Sequence, residues 1–333
     1  MNFSAKIYVA GHQGLMGSAL VRRLRMLGYA NLLVRTRLEV DLTKQAAVEE
    51  FFAAERPEYV FLAAAKVGGI LANATYPAEF IFQNLLIQTH VIDAAYRTGV
   101  KRLLFLGSSC VYPREAPQPI KEEYLLSGPL EPSNRPYAVA KISGIEMCWS
   151  YNRQYGTRFL AAMPTNLYGP GDRYDLQHSH VLPALVRKMH DARVTGANHV
   201  VIWGTGTPRR EFLYSDDAAD ACVFLMNLPE DKLNIITEDQ RLAPIVNVGR
   251  GEDLTVHELA EIVSDVTGFR KKLIFDESKP DGTPQKLLDI SRLTALGWRA
   301  ATTFRDGLIK TYKDFEERYA LSHDLRSISV DAN

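Results

Sequence analysis

Three features of the sequence predict an α/β fold, a doubly wound parallel sheet with a smaller C-terminal substrate-binding lid. Short apolar runs alternate with longer amphipathic stretches, a glycine-rich turn follows the first run, and the regularity breaks past Met163. The runs are KIYVA from Lys6, NLLVR from Asn31, YVFLAA from Tyr59, RLLFLG from Arg102 and RFLAAM from Arg158. Such uniformly apolar strands suit a parallel sheet covered on both faces. Beyond Met163 come the Gly- and Pro-rich loops PTNLYGPGDRYD and WGTGTPRREF. Helices are expected near Asp216 to Asn227 and Thr255 to Thr267, and short strands around Val246 and Leu273. The first domain is read as residues 1–168, with segments about 211–250 returning to it, and the lid mainly as 169–320. Residues 321–333 are polar, lack caps and periodicity, and read as a mobile tail.

With 333 residues, 46% of them hydrophobic, the chain has enough apolar surface for a large core. Lys and Arg number 39, as do Asp and Glu, and the charges are interspersed. No overall field would draw such a protein to nucleic acid or an anionic membrane, so an anionic ligand must meet local positive groups. The first apolar run reaches its glycine turn too soon for a signal peptide, and nothing is long enough to span a bilayer. A cytoplasmic location is expected. Cys110, Cys148 and Cys222 are odd in number, widely spaced and without a CxxC pair, which indicates neither a disulfide framework nor a metal site.

Gly11-x-x-Gly14-x-x-Gly17 lies between the strand ending at Ala10 and an expected helix from about Leu15 to Leu27. Glycines allow a tight turn and close backbone approach, and the N–H groups of the helix terminus then face a pyrophosphate. Alone, such a triplet also serves as a structural turn. Opening the first helix after the first strand, it reads as the dinucleotide site of a Rossmann sheet. Where an acidic residue would bind a ribose 2′-hydroxyl, the chain has Arg35-Thr36-Arg37. Cations there suit a 2′-phosphate, hence NADPH over NADH, against the plainer reading of a solvated pair capping a strand.

Tyr137-Ala-Val-Ala-Lys141 follows Pro136, a residue suited to a helix's first turn, and the i, i+4 spacing puts phenol and ammonium on one face. A free tyrosine, with a pKa of about 10, shuttles protons poorly until a nearby cation stabilises its phenolate. Lys141 is placed to do so. The competing reading is a surface helix pair. The fourth strand sharpens the choice, because it runs into Gly107-Ser108-Ser109-Cys110 at the carboxyl edge, where a hydroxyl can orient a carbonyl beside the phenol.

Further stretches are AAAKVGGI from Ala63, LFLGSSCVYP from Leu104, LEPSNRPYAVAKI from Leu130, MPTNLYGPGD from Met163, HSHVLPAL from His178, WGTGTPRREF from Trp203 and KPDGTP from Lys279. On these the chain resembles the extended short-chain dehydrogenase/reductase family of nucleotide-sugar enzymes, up to about Trp298. The resemblance is to its branch acting on GDP-4-keto-6-deoxy-D-mannose, and implies 3,5-epimerisation followed by NADPH-dependent 4-reduction. By it, Ser108, Tyr137 and Lys141 match the family triad, and Cys110 and His180 its epimerisation pair. The implied NADP(H) positions are Gly11, His12, Gln13, Gly14, Leu15, Met16, Gly17, Arg37, Asp41, Leu42, Leu106, Gly107, Lys141, Pro164, Asn166, Leu167 and His180. Lys188, Trp203, Arg210 and Asp281 fall at substrate-binding positions for the GDP-linked sugar. Gln13 stands where some members carry arginine, which leaves Arg37 more alone in choosing NADPH, and Lys188 keeps a charge but not a bidentate fork. Relatives pair the helices near Ala78 to Arg97 and Pro136 to Tyr155 across a two-fold axis, which implies a homodimer.

A 4-ketone acidifies the hydrogens on C3 and C5, since either carbanion is an enolate whose oxyanion needs donors such as Ser108 and Tyr137. Inversion then needs a base on one side and an acid on the other, a task a Cys/His pair suits at neutral pH. The plainer readings are a small apolar residue for Cys110 and a helix cap or packed ring for His180. His178 and His199 read as structural, while Arg209 with Arg210 fits a diphosphate. Rival functions are an NAD-retaining 4-epimerase or 4,6-dehydratase, a related 4-reductase of a colitose-type pathway, and a non-catalytic dinucleotide sensor. A sensor needs only the glycine turn, so the intact Ser108, Tyr137 and Lys141 argue against it.

Overall fold

The computed structural model describes residues 1–176, 179–279 and 281–330. In chain order it forms β1 (Ile7–Ala10), α1 (Leu15–Met26), β2 (Leu32–Leu33), α2 (Gln45–Glu55), β3 (Tyr59–Leu62), α3 (Ile70–Thr75), α4 (Pro77–Arg97), β4 (Arg102–Leu106), α5 (Arg135–Tyr155) and β5 (Phe159–Pro164). There follow β6 (Asn166–Tyr168), α6 (Val181–Thr195), β7 (His199–Trp203), β8 (Arg209–Tyr214), α7 (Ser215–Met226), α8 (Glu230–Thr237) and β9 (Ile245–Val248). The remainder is β10 (Asp253–Thr255), α9 (Val256–Thr267), β11 (Lys272–Asp276), β12 (Gln285–Lys286), α10 (Ser291–Leu296) and α11 (Phe304–Val330).

The five apolar runs and β9 make one parallel sheet in the order β2-β1-β3-β4-β5-β9. Its side chains alternate between two cores, as the pleat requires. Ile7, Val9, Phe61, Leu104 and Val246 pack with Leu20 of α1, Val223 of α7 and Leu233 of α8. Tyr8, Val60, Leu103, Phe105 and Phe159 pack with Phe52 of α2, Ile92 of α4 and Ile145 of α5. Both faces are therefore covered, which is why these strands are apolar throughout. The chain leaves β1 in one direction to β2 and reaches β3 on the other side, so the carboxyl ends there open the crevice in which such sheets take ligands.

The later elements form a second layer with its own core. β10, β8 and β12 pair in that order with β6 beside β8, and β7 pairs with β11. Val186 of α6, Leu259 and Val263 of α9, Leu308 and Tyr312 of α11 and Ile202 of β7 share one apolar cluster. A capping box between Thr255 and Glu258 starts α9. Glu211 pins β8 to its neighbours, because its fully buried carboxylate accepts from the Arg250 and Gly251 amides at 2.6 and 2.7 Å and from the Leu288 amide at 3.0 Å. The stretch read as a mobile tail continues α11 as helix to Val330, and 331–333 lie outside the described residues. Elongation from an established helix needs no new nucleus, so it can proceed without an apolar stripe. Among the described residues, no helix is long and apolar enough to cross a membrane.

Candidate active site

β1 hands the chain to Gly11, whose φ of +83° is a conformation that favours glycine. A Cβ there would also stand 2.7 Å from the Ala64 backbone, and one at Gly17 would overlap the Gly11 carbonyl. Gly14 differs. It is the exposed N-cap of α1, and its Cβ would meet only the Gly11 oxygen, at 3.5 Å. Two glycines thus pack the turn, while the third leaves the helix terminus bare for an anion. His12 Nδ1 is buried there without a partner, Gln13 is exposed, Leu15 is half-buried and Met16 joins the core. These residues fit a dinucleotide.

Past β2 the arginine pair divides. Arg35 donates to Glu55 at 2.7 Å and to the Val34 carbonyl at 2.9 Å and lies over the Phe51 ring, so it is a structural tie. Arg37 is left exposed, 3.8 Å from Asp41. Burial opposes ionisation of Asp41, yet hydrogen bonds from Thr43 and the charges of Arg37 and Lys44 hold its carboxyl below the ordinary value. The Leu42 carbonyl faces His90 Nδ1 at 3.1 Å. On the other side, Leu167 and Pro164 are half-buried and Asn166 donates to the Glu211 carbonyl at 2.8 Å.

Ser108 caps the short helical turn Ser109–Val111 after β4, and its Oγ accepts from the Cys110 amide at 3.2 Å. A Cβ on Gly107 would overlap Met163 Sδ, so Met163 would have to shift to admit a side chain there. On α5, Tyr137 stands edge-on to Phe80 at 6.4 Å, and burial, then the charge of Cys110, push its phenol above the usual range against a hydrogen bond from Ser108. Lys141 is buried, donates to the Leu106 carbonyl at 2.6 Å and lies 5.9 Å from the Tyr137 ring centroid. Burial lowers it to about 7. Desolvation thus drives each of these two buried groups toward its neutral form.

Cys110 sits beside this trio. Burial raises its thiol, but the charge of Lys286, with hydrogen bonds from Ser108, Lys286 and Asn134, outweighs that and lowers it. Lys286 Nζ is 3.5 Å from Sγ. The other two cysteines are buried, with thiols pushed up by desolvation. His180 occupies the N-cap of α6, yet its side chain makes no capping hydrogen bond. The residue keeps an exposed surface, while protein crowding its imidazole, and then the charge of Lys286, lower its pKa. Sequence reasoning missed Lys286 and Asn134. Neither carries a motif of its own, although Asn134 stands in a matched stretch two residues before Pro136. His178 and Pro280, which also fall in matched stretches, lie outside the described residues, and His199 opens β7.

The expected substrate residues form a second group. Trp203 is 67% exposed, with the Lys188 and Lys279 ammonium groups each 5.7 Å from its ring. Lys188 also donates to the Val201 carbonyl at 3.2 Å. Asp281 accepts from the Thr205 amide at 3.0 Å and hydroxyl at 2.7 Å. A Cβ on neighbouring Gly282 would stand 2.8 Å from Arg210 Nη2. Burial lowers the pKa of Arg210 and the Asp281 charge opposes that. The Arg209–Arg210 pair splits like the first. Arg209 is tied to Asp253 at 2.8 Å, because adjacent strand residues point to opposite faces.

Fold and site define a dinucleotide-dependent enzyme of carbonyl chemistry. The sequence pattern of the NAD dependent epimerase/dehydratase family matches residues 7–249, and the chain belongs to that family. It is similar to GDP-L-fucose synthase 1 of Arabidopsis thaliana, 57% identical over 309 residues that cover 93% of this chain and 92% of that one. GDP-L-fucose synthase of Escherichia coli (strain K12) is 50% identical over 312 residues, 94% and 97% of the two chains. Among solved structures, MlghC, a GDP-mannoheptose C4 reductase from Campylobacter jejuni with NADP bound, is 40% identical with a TM-score of 0.85 over 95% of this chain and 99% of that one.

Proposed function

We propose that the chain is a GDP-L-fucose synthase: it inverts C3 and C5 of GDP-4-keto-6-deoxy-D-mannose and then reduces C4 with NADPH. The observation that carries this is the thiol of Cys110, lowered and in contact with Lys286, at the edge of the Ser108, Tyr137 and Lys141 group. A plain reductase has no use for an acid–base pair there. Cys110 takes a proton from the carbon beside the ketone, Ser108 and Tyr137 hydrogen-bond the enolate oxygen, and His180 returns a proton from the opposite face. After both inversions, Tyr137 gives its proton to O4. The glycine turn, Arg37, Lys141 and the strand ends at Leu106 and Pro164 would hold the dinucleotide, which supplies the hydride when bound. Lys188, Trp203, Arg210 and Asp281 would hold the nucleotide diphosphate. The test is a panel of nucleotide 4-keto sugars with NADPH, read by product stereochemistry. GDP-L-fucose is the expected product, and reduction without inversion would leave a 4-reductase like the heptose enzyme.

NADPH preference follows from Arg37. Loss of an exposed cation facing a 2′-phosphate weakens binding by about 1 to 3 kcal/mol. Arg37→Ala should therefore weaken NADPH in a fluorescence titration and leave NADH nearly unchanged. Equal weakening of both would make Arg37 a structural residue.

A homodimer through α4 and α5 is part of the same proposal. The two helices pack on one another, and Phe82, Val139 and Tyr155 remain 63%, 36% and 46% exposed on them. Light scattering at micromolar concentration should give twice the chain mass, and a monomer would refute the pairing.

A further inference from the structure

We infer that Lys286 is a catalytic residue of the epimerisation half-reaction: its ammonium, delivered by β12, holds Cys110 as the thiolate base. This rests on the proposed function, in which Sγ is a reacting atom. Nζ donates to Sγ at 3.5 Å, and among the described residues Lys286 forms no ion pair with a carboxylate. A cation whose partner is a thiol is an unusual arrangement unless the thiol is ionised.

The strand that carries Lys286 is only two residues long, yet it is fixed on every side. Gln285 and Lys286 pair in parallel register with Arg209 and Arg210 of β8. The Arg209 amide donates to the Pro284 carbonyl at 2.8 Å, and the Gln285 side chain donates to Asp253 at 2.7 Å. Downstream, the Leu287 amide donates to Gln118 at 2.8 Å, the Ile120 amide to the Leu287 carbonyl at 2.7 Å, and the Leu288 amide to buried Glu211 at 3.0 Å. A long flexible side chain is thus anchored at a root that cannot drift, so its charge is pre-placed before substrate arrives.

The groups facing Cys110 are Lys286 from β12, Ser108 beside it, Asn134 from the turn before α5 and Tyr137 on α5. Tyr137 is neutral and the other two are dipoles, so Lys286 is the charge among them. The same ammonium acts on His180, disfavouring its imidazolium and making the protonated ring a stronger acid. One cation therefore tunes both members of the pair. Removing it must move both ionisations toward higher pH, whichever limb of a bell-shaped profile belongs to which residue.

The measurements use wild type, Lys286→Met and Lys286→Arg. First, the pH midpoint of Cys110 alkylation by iodoacetamide is read in the free protein by mass spectrometry of its peptide, Cys148 and Cys222 being buried. Lys286→Met should move the midpoint up by about one pH unit or more, which is about a tenfold loss of thiolate at neutral pH, and Lys286→Arg should stay near wild type. Second, deuterium entry from heavy water into GDP-4-keto-6-deoxy-D-mannose is followed against pH with NADP+ in place of NADPH. The whole bell should shift upward in Lys286→Met, whereas a merely structural role would lower its height without moving it. An unchanged alkylation midpoint in a folded Lys286→Met protein overturns the inference. If that variant fails to fold, Lys286→Gln takes its place, read as thiolate absorbance against Cys110→Ser: a midpoint equal to that of wild type rejects the role, and one raised by about one pH unit supports it. Alkylation needs no sugar, so absence of deuterium entry in wild type would count against the epimerase reading alone.

Discussion

Tyr137→Phe should lower NADPH-dependent turnover of the keto sugar by about two to four orders of magnitude, the usual contribution of a positioned acid. Only one oxygen is lost. The ring keeps its edge-on contact with Phe80 at 6.4 Å, and the lost hydrogen bond with Ser108 costs about 1 kcal/mol, so folding and NADPH binding should survive. The phenol is pushed above its ordinary range by burial, which keeps it protonated at every working pH and makes it a donor in waiting. The limiting ionisation is instead that of Lys141, lowered to about 7. Its cation, which favours the phenolate left behind, is present below that pH and lost above it. The reductive kcat/KM of wild type should therefore fall as pH rises through about 7. Near-normal turnover in Tyr137→Phe would remove Tyr137 from the role of proton donor.

The parts of this site that rest on local chemistry were legible in the sequence. Gly11, Gly14 and Gly17 declare themselves by spacing after an apolar run, and Tyr137 and Lys141 by one helical turn. The main strands were equally plain, because a sheet buried on both faces leaves little choice of residue. What stayed hidden depends on pairing at a distance. Lys286 reaches Cys110 only because β12 docks on β8 and on the 118–120 segment, and no periodicity marks a strand two residues long. The arginine pairs were half legible. Charge placed Arg35 with Arg37 and Arg209 with Arg210, but only the tertiary contacts show that Glu55 and Asp253 take one of each pair. Lys141 illustrates a different gap. Its spacing from Tyr137 was clear, while the burial that lowers its pKa belongs to the packed core.

Cys110→Ser should abolish most solvent exchange into the sugar and leave reduction running. Inverting C3 and C5 requires solvent protons at both carbons, whereas hydride transfer to C4 requires none there. A serine hydroxyl preserves the size and can still accept from Lys286 and from the Cys110 site's neighbours, so the surroundings should hold their shape. It cannot act as the base, because its proton is held far more tightly than that of a thiol near 8.5. The loss of a positioned base predicts about a 100-fold or greater fall in exchange at each carbon. Ser108, Tyr137 and Lys141 remain assembled, so the unepimerised ketone becomes the substrate that is reduced. Product formed in heavy water separates the two functions by mass spectrometry and NMR. Wild type should carry deuterium at C3 and C5, while Cys110→Ser should give mostly unlabelled 6-deoxy sugar with its original configuration at both. Labelling at the wild-type rate in the variant would show that another group is the base, and Cys110 would be a packing residue beside Lys286.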